Sequence, residues 1–282
     1  MEKKSSGVDV LTNNLSDLQT RFYKKSHKIV FGSLSLSAVE HDLFALFLSR
    51  LEKSHWAIKK DKKLSTEADW NSILLDQSAF VCPSYTFSND MLSEWFKVEK
   101  TELYSLLNLP AKRLSGRAVG IEDKDNKSFS YMALFKRVEY KNACLTLVPN
   151  DQLIKEYLCV SEGHSQISHD IFRQLKREYS KRLYSILCRF KSYGKLPEFK
   201  IDDIRALFGL LDTNGKLKKT SYSRTHAIIR EIIQPSIEEI ALQENKINFF
   251  SDADQPKNYG FRTIRTGRKI TAIKLLFDWD KA

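Results

Sequence analysis

Cysteine is scarce: only Cys82, Cys144, Cys159 and Cys188, with no C-x-x-C pair among them. That spacing argues against a disulfide framework and against a zinc finger. Proline (6) and glycine (10) are also few, which excludes a collagen-like chain and long disordered tracts. No segment approaches the roughly 20 apolar residues of a membrane helix. No apolar stretch follows Lys3 and Lys4, so no secretory signal is expected. These absences describe a reduced, cytoplasmic protein without a membrane partner. Positive charge, by contrast, is plentiful: 46 Lys and Arg against 35 Asp and Glu, a formal +11 and a pI near 9.3. The 282 residues suit two domains, and 42% apolar content can fill their cores. Where the charge sits decides whether it is a nucleic-acid surface or only a solubilising one.

Hydrophobic periodicity predicts an α+β chain of two tandem winged-helix domains joined by a short linker. Residues 1–25 are polar and lack steady periodicity and read as a flexible arm, with a short helix as the alternative. The first domain covers 26–158. Ser37 with Glu40 three residues on opens a helix, and Val39, Leu43, Leu46 and Phe47 follow at helical spacing. Met91, Leu92, Trp95 and Phe96 mark a short helix, and Thr101–Leu114 a second one that Pro110 should kink. Ala118–Ile121, Phe129–Val138 and Ala143–Val148 read as strands parted by turns. Residues 159–168 are read as the linker. The second domain, 169–282, repeats the order. It has a long helix over Ser168–Ser192, a short one over Ile201–Phe208 capped by Asp202 or Asp203, and a turn at 209–215. A helix over Ser221–Leu242, interrupted by Pro235, comes next. Strands at 247–251, 259–266 and 269–279 follow, with a loop at 252–258 and a turn at Gly267.

The charge is uneven. Residues 1–150 carry 22 basic and 18 acidic side chains, and 151–282 carry 24 and 17. Between Thr213 and Arg230 stand Lys216, Lys218, Lys219, Arg224 and Arg230 with no acid among them. Arg262, Arg265, Arg268, Lys269 and Lys274 fall in a second acid-free stretch. The two runs coincide with the start of a recognition helix and with a wing. There they can neutralise phosphates and release counterions, while Ser221, Tyr222, Ser223 and Arg224 reach base edges. In the first domain Lys100, Thr101, Tyr104, Lys112, Arg113 and Arg117 are the corresponding candidates, opposed by Glu99 and Glu102. Two such domains can meet successive major grooves about one turn, roughly 10–10.5 bp, apart.

Enzymatic motifs are weak. Gly209–Lys216 has five residues between its glycines and Leu217 where a phosphate loop has Ser or Thr. Cys159, His164 and His169 lack a fourth metal ligand. Tyr179 and Tyr184 suit packing better than strand cleavage. Asp202-Asp203 and Glu238-Glu239 suit capping and solvation. No cofactor, metal or catalytic residue is therefore expected. A recombinase or nickase is the remaining enzymatic alternative, and a transcription regulator of the same fold is another.

Several segments carry a family likeness: Leu36-Ser37-Ala38-Val39-Glu40, Ser180–Leu187, Ile201–Gly209, Ile233-Gln234-Pro235-Ser236-Ile237-Glu238-Glu239-Ile240, and Gly267-Arg268-Lys269-Ile270 before Ile273–Phe277. In this order the chain resembles the iteron-binding plasmid replication initiators over about residues 30–280. The resemblance implies a bacterial protein whose monomers bind direct repeats at an origin. They help open the adjacent A·T-rich DNA and recruit the host initiator and helicase. It implies homodimers, formed mainly through the N-terminal domain, that bind an inverted repeat and repress the initiator's own gene. It also implies that Arg205 and the start of the second recognition helix read DNA. The 251–258 loop is longer than the resemblance leads one to expect.

Overall fold

The computed structural model describes residues 9–12, 22–52, 55–56, 82–123, 126–159, 163–191, 196–212 and 214–280. The N-terminal half opens with β1 (Asp9–Thr12), β2 (Phe22–Ser26) and α1 (His27–Phe31), followed by α2 (Ala38–Ser49). Ser37 starts α2 with a reciprocal box. Its hydroxyl accepts from the Glu40 amide at 3.4 Å, and Glu40 accepts from the Ser37 amide at 3.0 Å. Then come β3 (Ser84–Ser88), α3 (Asn89–Phe96) and α4 (Leu103–Leu114). Lys97 ends α3 in the left-handed conformation (φ 54°), which makes the turn between the two helices. The second helix begins at Leu103, two residues later than the sequence suggests, and continues through Pro110 to Leu114.

A hairpin of β4 (Ala118–Asp123) and β5 (Ser128–Ala133) follows, then β6 (Phe135–Lys141) and β7 (Cys144–Pro149). The stretch expected as one strand over Phe129–Val138 is thus two strands, which belong to different sheets and part at the buried Leu134. One sheet has the order β1-β3-β7-β6, with β1 and β3 parallel and the other pairs antiparallel. Phe44, Phe47, Tyr85, Phe135 and Tyr157 pack edge to face in the core beneath it.

Two boundaries differ from the sequence reading. Residues 22–25, read as the end of a flexible arm, lie in β2, and 164–168, read as linker, form β8 (His164–Ser168). These strands pair antiparallel from Phe22↔Ser168 to Ser26↔His164. Alternation within β2 buries Tyr23 and Lys25, a pattern too short and too polar to show in sequence. The rest of the arm, 1–8 and 13–21, and residues 160–162 lie outside the described residues. A short α5 (Ile154–Tyr157) precedes β8.

The long helix expected over 168–192 is two helices, α6 (His169–Gln174) and α7 (Glu178–Arg189). Leu175 turns extended (φ −65°, ψ 126°) between them. The amides of Lys176 and Arg177 donate to the carboxylate of Glu239, read from sequence as merely solvated. Helix α7 is the central post of the molecule, burying nine of its residues including Lys181 and Arg182. Arg182 donates to the carbonyls of Ile29, Gly32 and Leu207, and Lys181 pairs with Asp42 at 2.6 Å. Both side chains tie the N-terminal elements to α7, and Arg182 ties them to Leu207 as well.

The C-terminal half runs β9 (Glu198–Lys200), α8 (Ile201–Leu207), a 3-10 turn (Thr220–Ser223), α9 (Thr225–Ile228), a π-turn (Ile229–Ile233) and α10 (Gln234–Gln243). Lys200, not an aspartate, stands at the start of α8, and Asp202 instead pairs with Arg205 at 2.6 Å. Then come β10 (Ile247–Phe249), β11 (Ser251–Asp252), β12 (Gln255–Tyr259), β13 (Phe261–Thr266), β14 (Lys269–Leu275) and β15 (Phe277–Trp279). The expected 252–258 loop is therefore a β11–β12 hairpin. Strands β13, β14 and β9 form one sheet, the β13–β14 hairpin projecting as a wing. Each half thus has a helix-turn-helix followed by a hairpin. Among the described residues no helix is long and apolar enough to cross a membrane.

Candidate nucleic-acid interface

The turn before the recognition helix is built from one carboxylate. Asp212 Oδ1 accepts from the amides of Asn214 and Lys216, both at 2.8 Å. This Asx-type turn explains Gly209–Lys216 without any phosphate loop. Gly209 sits at φ +62°, and a Cβ there would lie 2.8 Å from that of Ser35. Lys218 leaves the turn to donate to the Ser35 hydroxyl, and its partial burial lowers its pKa.

Arg205 then organises the start of the helix. Its Nε donates to the Tyr222 carbonyl at 3.2 Å and its Nη2 to the Ser223 carbonyl at 2.9 Å, while Asp202 takes Nη1. The guanidinium expected from resemblance to read DNA is held within the protein, where it satisfies carbonyls at a bend. Tyr222, expected from sequence to reach a base edge, is 2% exposed and packs in the core instead. Ser221 is half-buried, while Ser223 and Arg224 are exposed.

Beyond this bend the helix and the wing face each other. Arg224, Thr225, His226, Ala227 and Arg230 from the helix, with Arg268, Lys269 and Ile270 from the wing, line a cleft of about 480 Å³. The wing turns at Gly267 (φ +59°), a conformation that favours glycine, and open space surrounds it. Arg265, Arg268 and Lys269 are exposed there, as are Lys216 and Lys219 beside the helix. Arg230 also touches Glu231 at 3.1 Å, an exposed pair that a phosphate can displace. The two basic runs, 38 residues apart from Arg230 to Arg268, therefore converge on one cleft. Arg262, read as a wing contact, instead pairs with Asp252 at 3.0 Å on the β11–β12 hairpin. His226 and Thr225 were missing from the sequence candidates. The signal was present in the four-residue spacing of His226 and Arg230, which puts both on one helix face.

The N-terminal counterpart is weaker. Arg117 makes a two-pronged bond with the fully buried Glu40, at 3.0 and 3.3 Å, and is a packing residue. Lys100 pairs with Asp90. Thr101, Tyr104, Lys112 and Arg113 are exposed on and just before α4, with the Tyr104 ring near Tyr140. Sequence could show these charges but not their partners, which stand 77 residues away for Arg117.

Among the described residues no group of three His, Cys, Asp or Glu could hold a metal. His169 lies instead between Tyr23 and Trp95, where burial pushes its pKa down to about 4.

Comparison with known proteins fits this geometry. No curated protein sequence matches the chain. Over 93% of its length it resembles the solved structure of the Pi initiator protein in complex with iteron DNA, of which it covers 98%. The TM-score is 0.64 at 13% identity, a likeness of fold. The family profile described as "Initiator Replication protein, WH1" matches residues 22–188, and that described as "Initiator Rep protein, WH2" matches 200–277. The first match takes in both β2 and β8 and ends within α7, so residues 159–168 fall inside it. With both profiles matched in order over most of its length, the chain belongs to the initiator replication protein family, with two tandem winged-helix domains.

Proposed function

We propose that this protein is a plasmid replication initiator that binds repeated origin DNA sites through its C-terminal winged helix. The observation that carries the reading is the cleft where Arg224, His226 and Arg230 face Arg268 and Lys269. A helix start and a wing tip so placed suit a major groove and the adjoining phosphates. The fold likeness to the Pi protein, solved with iteron DNA, supports the same reading.

The finer roles follow the family resemblance. Monomers bind direct repeats in the bacterial cytoplasm, help open the adjacent A·T-rich DNA and recruit the host initiator and helicase. Homodimers join mainly through the N-terminal domain and repress the initiator's gene at an inverted repeat. The weaker positive face of the N-terminal helix, with Lys100 neutralised by Asp90, suits a domain shared between DNA and a protein partner. Footprinting on the DNA flanking the gene tests the reading. Protected direct repeats beside an A·T-rich stretch are the expected result; scattered, sequence-independent protection contradicts it.

A further inference from the structure

Recognition helices are usually single α-helices, but this one contains a π-turn, Ile229–Ile233, in which the Gln234 amide donates to the carbonyl of Ile229. The next residue is Pro235. Proline has no N–H for the i−4 carbonyl, here that of Glu231, and its ring presses against that carbonyl. A widened turn before it relieves both problems.

The turn also solves a problem of phase. Ile228 and Ile237 are both fully buried, yet they are nine residues apart. At about 3.6 residues per turn that is two and a half turns, which would place them on opposite faces of a regular α-helix. The exposed side of the helix has the same mismatch. His226, Arg230, Gln234, Glu238 and Leu242 recur every four residues. In a regular α-helix that row drifts by about 40° per step, roughly 160° over its length. A wide turn that takes in about one extra residue removes about 100° of this drift. Both stripes then stay close to one face each, core on one side and cleft on the other.

We infer that the π-turn at Ile229–Ile233, imposed by Pro235, is a specificity determinant that touches no base: it sets which side chains the helix shows to DNA. Arg224, His226 and Arg230 line the cleft from the first part of the helix, while Ile237 and Ile240 after the turn anchor it in the core. Rotating one part against the other removes the basic side chains from the cleft or the anchors from the core. Single-turn π-bulges frequently occur at functional sites. The inference rests on the DNA-reading function proposed above.

Phase rescue tests it. The unmodified protein first selects a duplex from a randomised pool. Its affinity for that duplex relative to random duplex is then compared with those of Pro235→Ala and of Pro235→Ala combined with deletion of Glu231. Pro235→Ala restores the i−4 donor and leaves one residue too many between the two faces. Its specificity ratio is expected to fall at least about tenfold, the order of one lost base contact. The deletion removes the surplus residue, returns Ile228 and Ile237 to eight residues apart, and is expected to recover most of the ratio. If Pro235→Ala does not fold, recovery by the double variant supports the inference and failure to recover overturns it. An unchanged ratio in Pro235→Ala overturns it while leaving the DNA-reading function intact. If the unmodified protein selects no sequence, the function itself fails and the inference with it.

Discussion

Arginine does three different jobs in this chain, and only one of them is legible from sequence. Arg182 is 2% exposed and satisfies three carbonyls drawn from both halves of the molecule. Arg182→Met should lower unfolding free energy by at least about 3 kcal/mol, because three buried acceptors lose their donor. A urea titration within about 1 kcal/mol of the parent contradicts that role. Arg117 and Arg205 hold backbone and buried carboxylate in place. Arg224 is the exposed kind. Its replacement by Ala should weaken specific binding by about 1–3 kcal/mol if it reads a base. Equal loss on random duplex, measured by fluorescence anisotropy, would reduce it to a phosphate contact. Charge clustering singled out Arg224 and Arg268, which are exposed and line the cleft, since runs free of acid are visible in sequence. It could not exclude Arg117, Arg205 or Arg262, whose partners Glu40, Tyr222 and Asp252 reach them only through the fold.

His169 adds a pH dependence at the same scale. Burial lowers its pKa from 6.5 to about 4, so between those values the unfolded chain binds more protons than the native one. Stability from this residue is therefore full above pH 6.5 and is lost as pH falls toward 4. Between pH 7 and pH 5 the loss is about 2 kcal/mol. His169→Phe keeps an aromatic ring against Tyr23 and Trp95 without the titration. The difference in Tm between pH 7 and pH 5 should shrink in this variant; an unchanged difference contradicts a buried neutral imidazole.

Among the elements, periodicity found most helices and the wing, because their apolar residues recur on one face. It failed where a distant group overrides local preference. Leu175–Arg177 reads as helix, yet two amides turn to Glu239, 63 and 62 residues away. Glu239→Ala should cost about 1 kcal/mol, as loss of a helix cap does, readable in thermal melts; no change would assign the bend to Leu175 packing alone. Strand β8 is hidden because its partner β2 lies more than 130 residues earlier in the chain, and a two-stranded pairing leaves little periodic signal. The 251–259 hairpin reads as a loop because Asp252, Asp254 and Pro256 are turn-like residues. Gln255 holds it instead, accepting from the Thr263 amide at 2.9 Å and donating to the Thr263 carbonyl at 2.9 Å.

For the whole molecule, the two winged helices meet at a buried contact and an exposed one. Arg182 on α7 donates to the Leu207 carbonyl, and Lys218 reaches Ser35 from the turn before the recognition helix. The turn that presents the second recognition helix is thereby fastened to the first domain. Among the described residues, some cations are held by carboxylates or carbonyls, and others stand exposed at one cleft. The exposed cations at the cleft should contribute to salt dependence, and those held within the protein should not. Lys269→Ala should reduce the slope of log affinity against log salt by about one, whatever the DNA sequence. An unchanged slope would place the wing away from the phosphates. The most direct test of DNA reading by the cleft is hydroxyl-radical footprinting on the DNA flanking the gene. It compares the parent, a variant with Arg224, Arg230, Arg268 and Lys269 all changed to Ala, and Arg113→Ala. The parent should protect directly repeated sites, the four-fold variant should lose this protection, and Arg113→Ala should largely keep it. Protection that survives loss of the four cleft cations would contradict a C-terminal reading head.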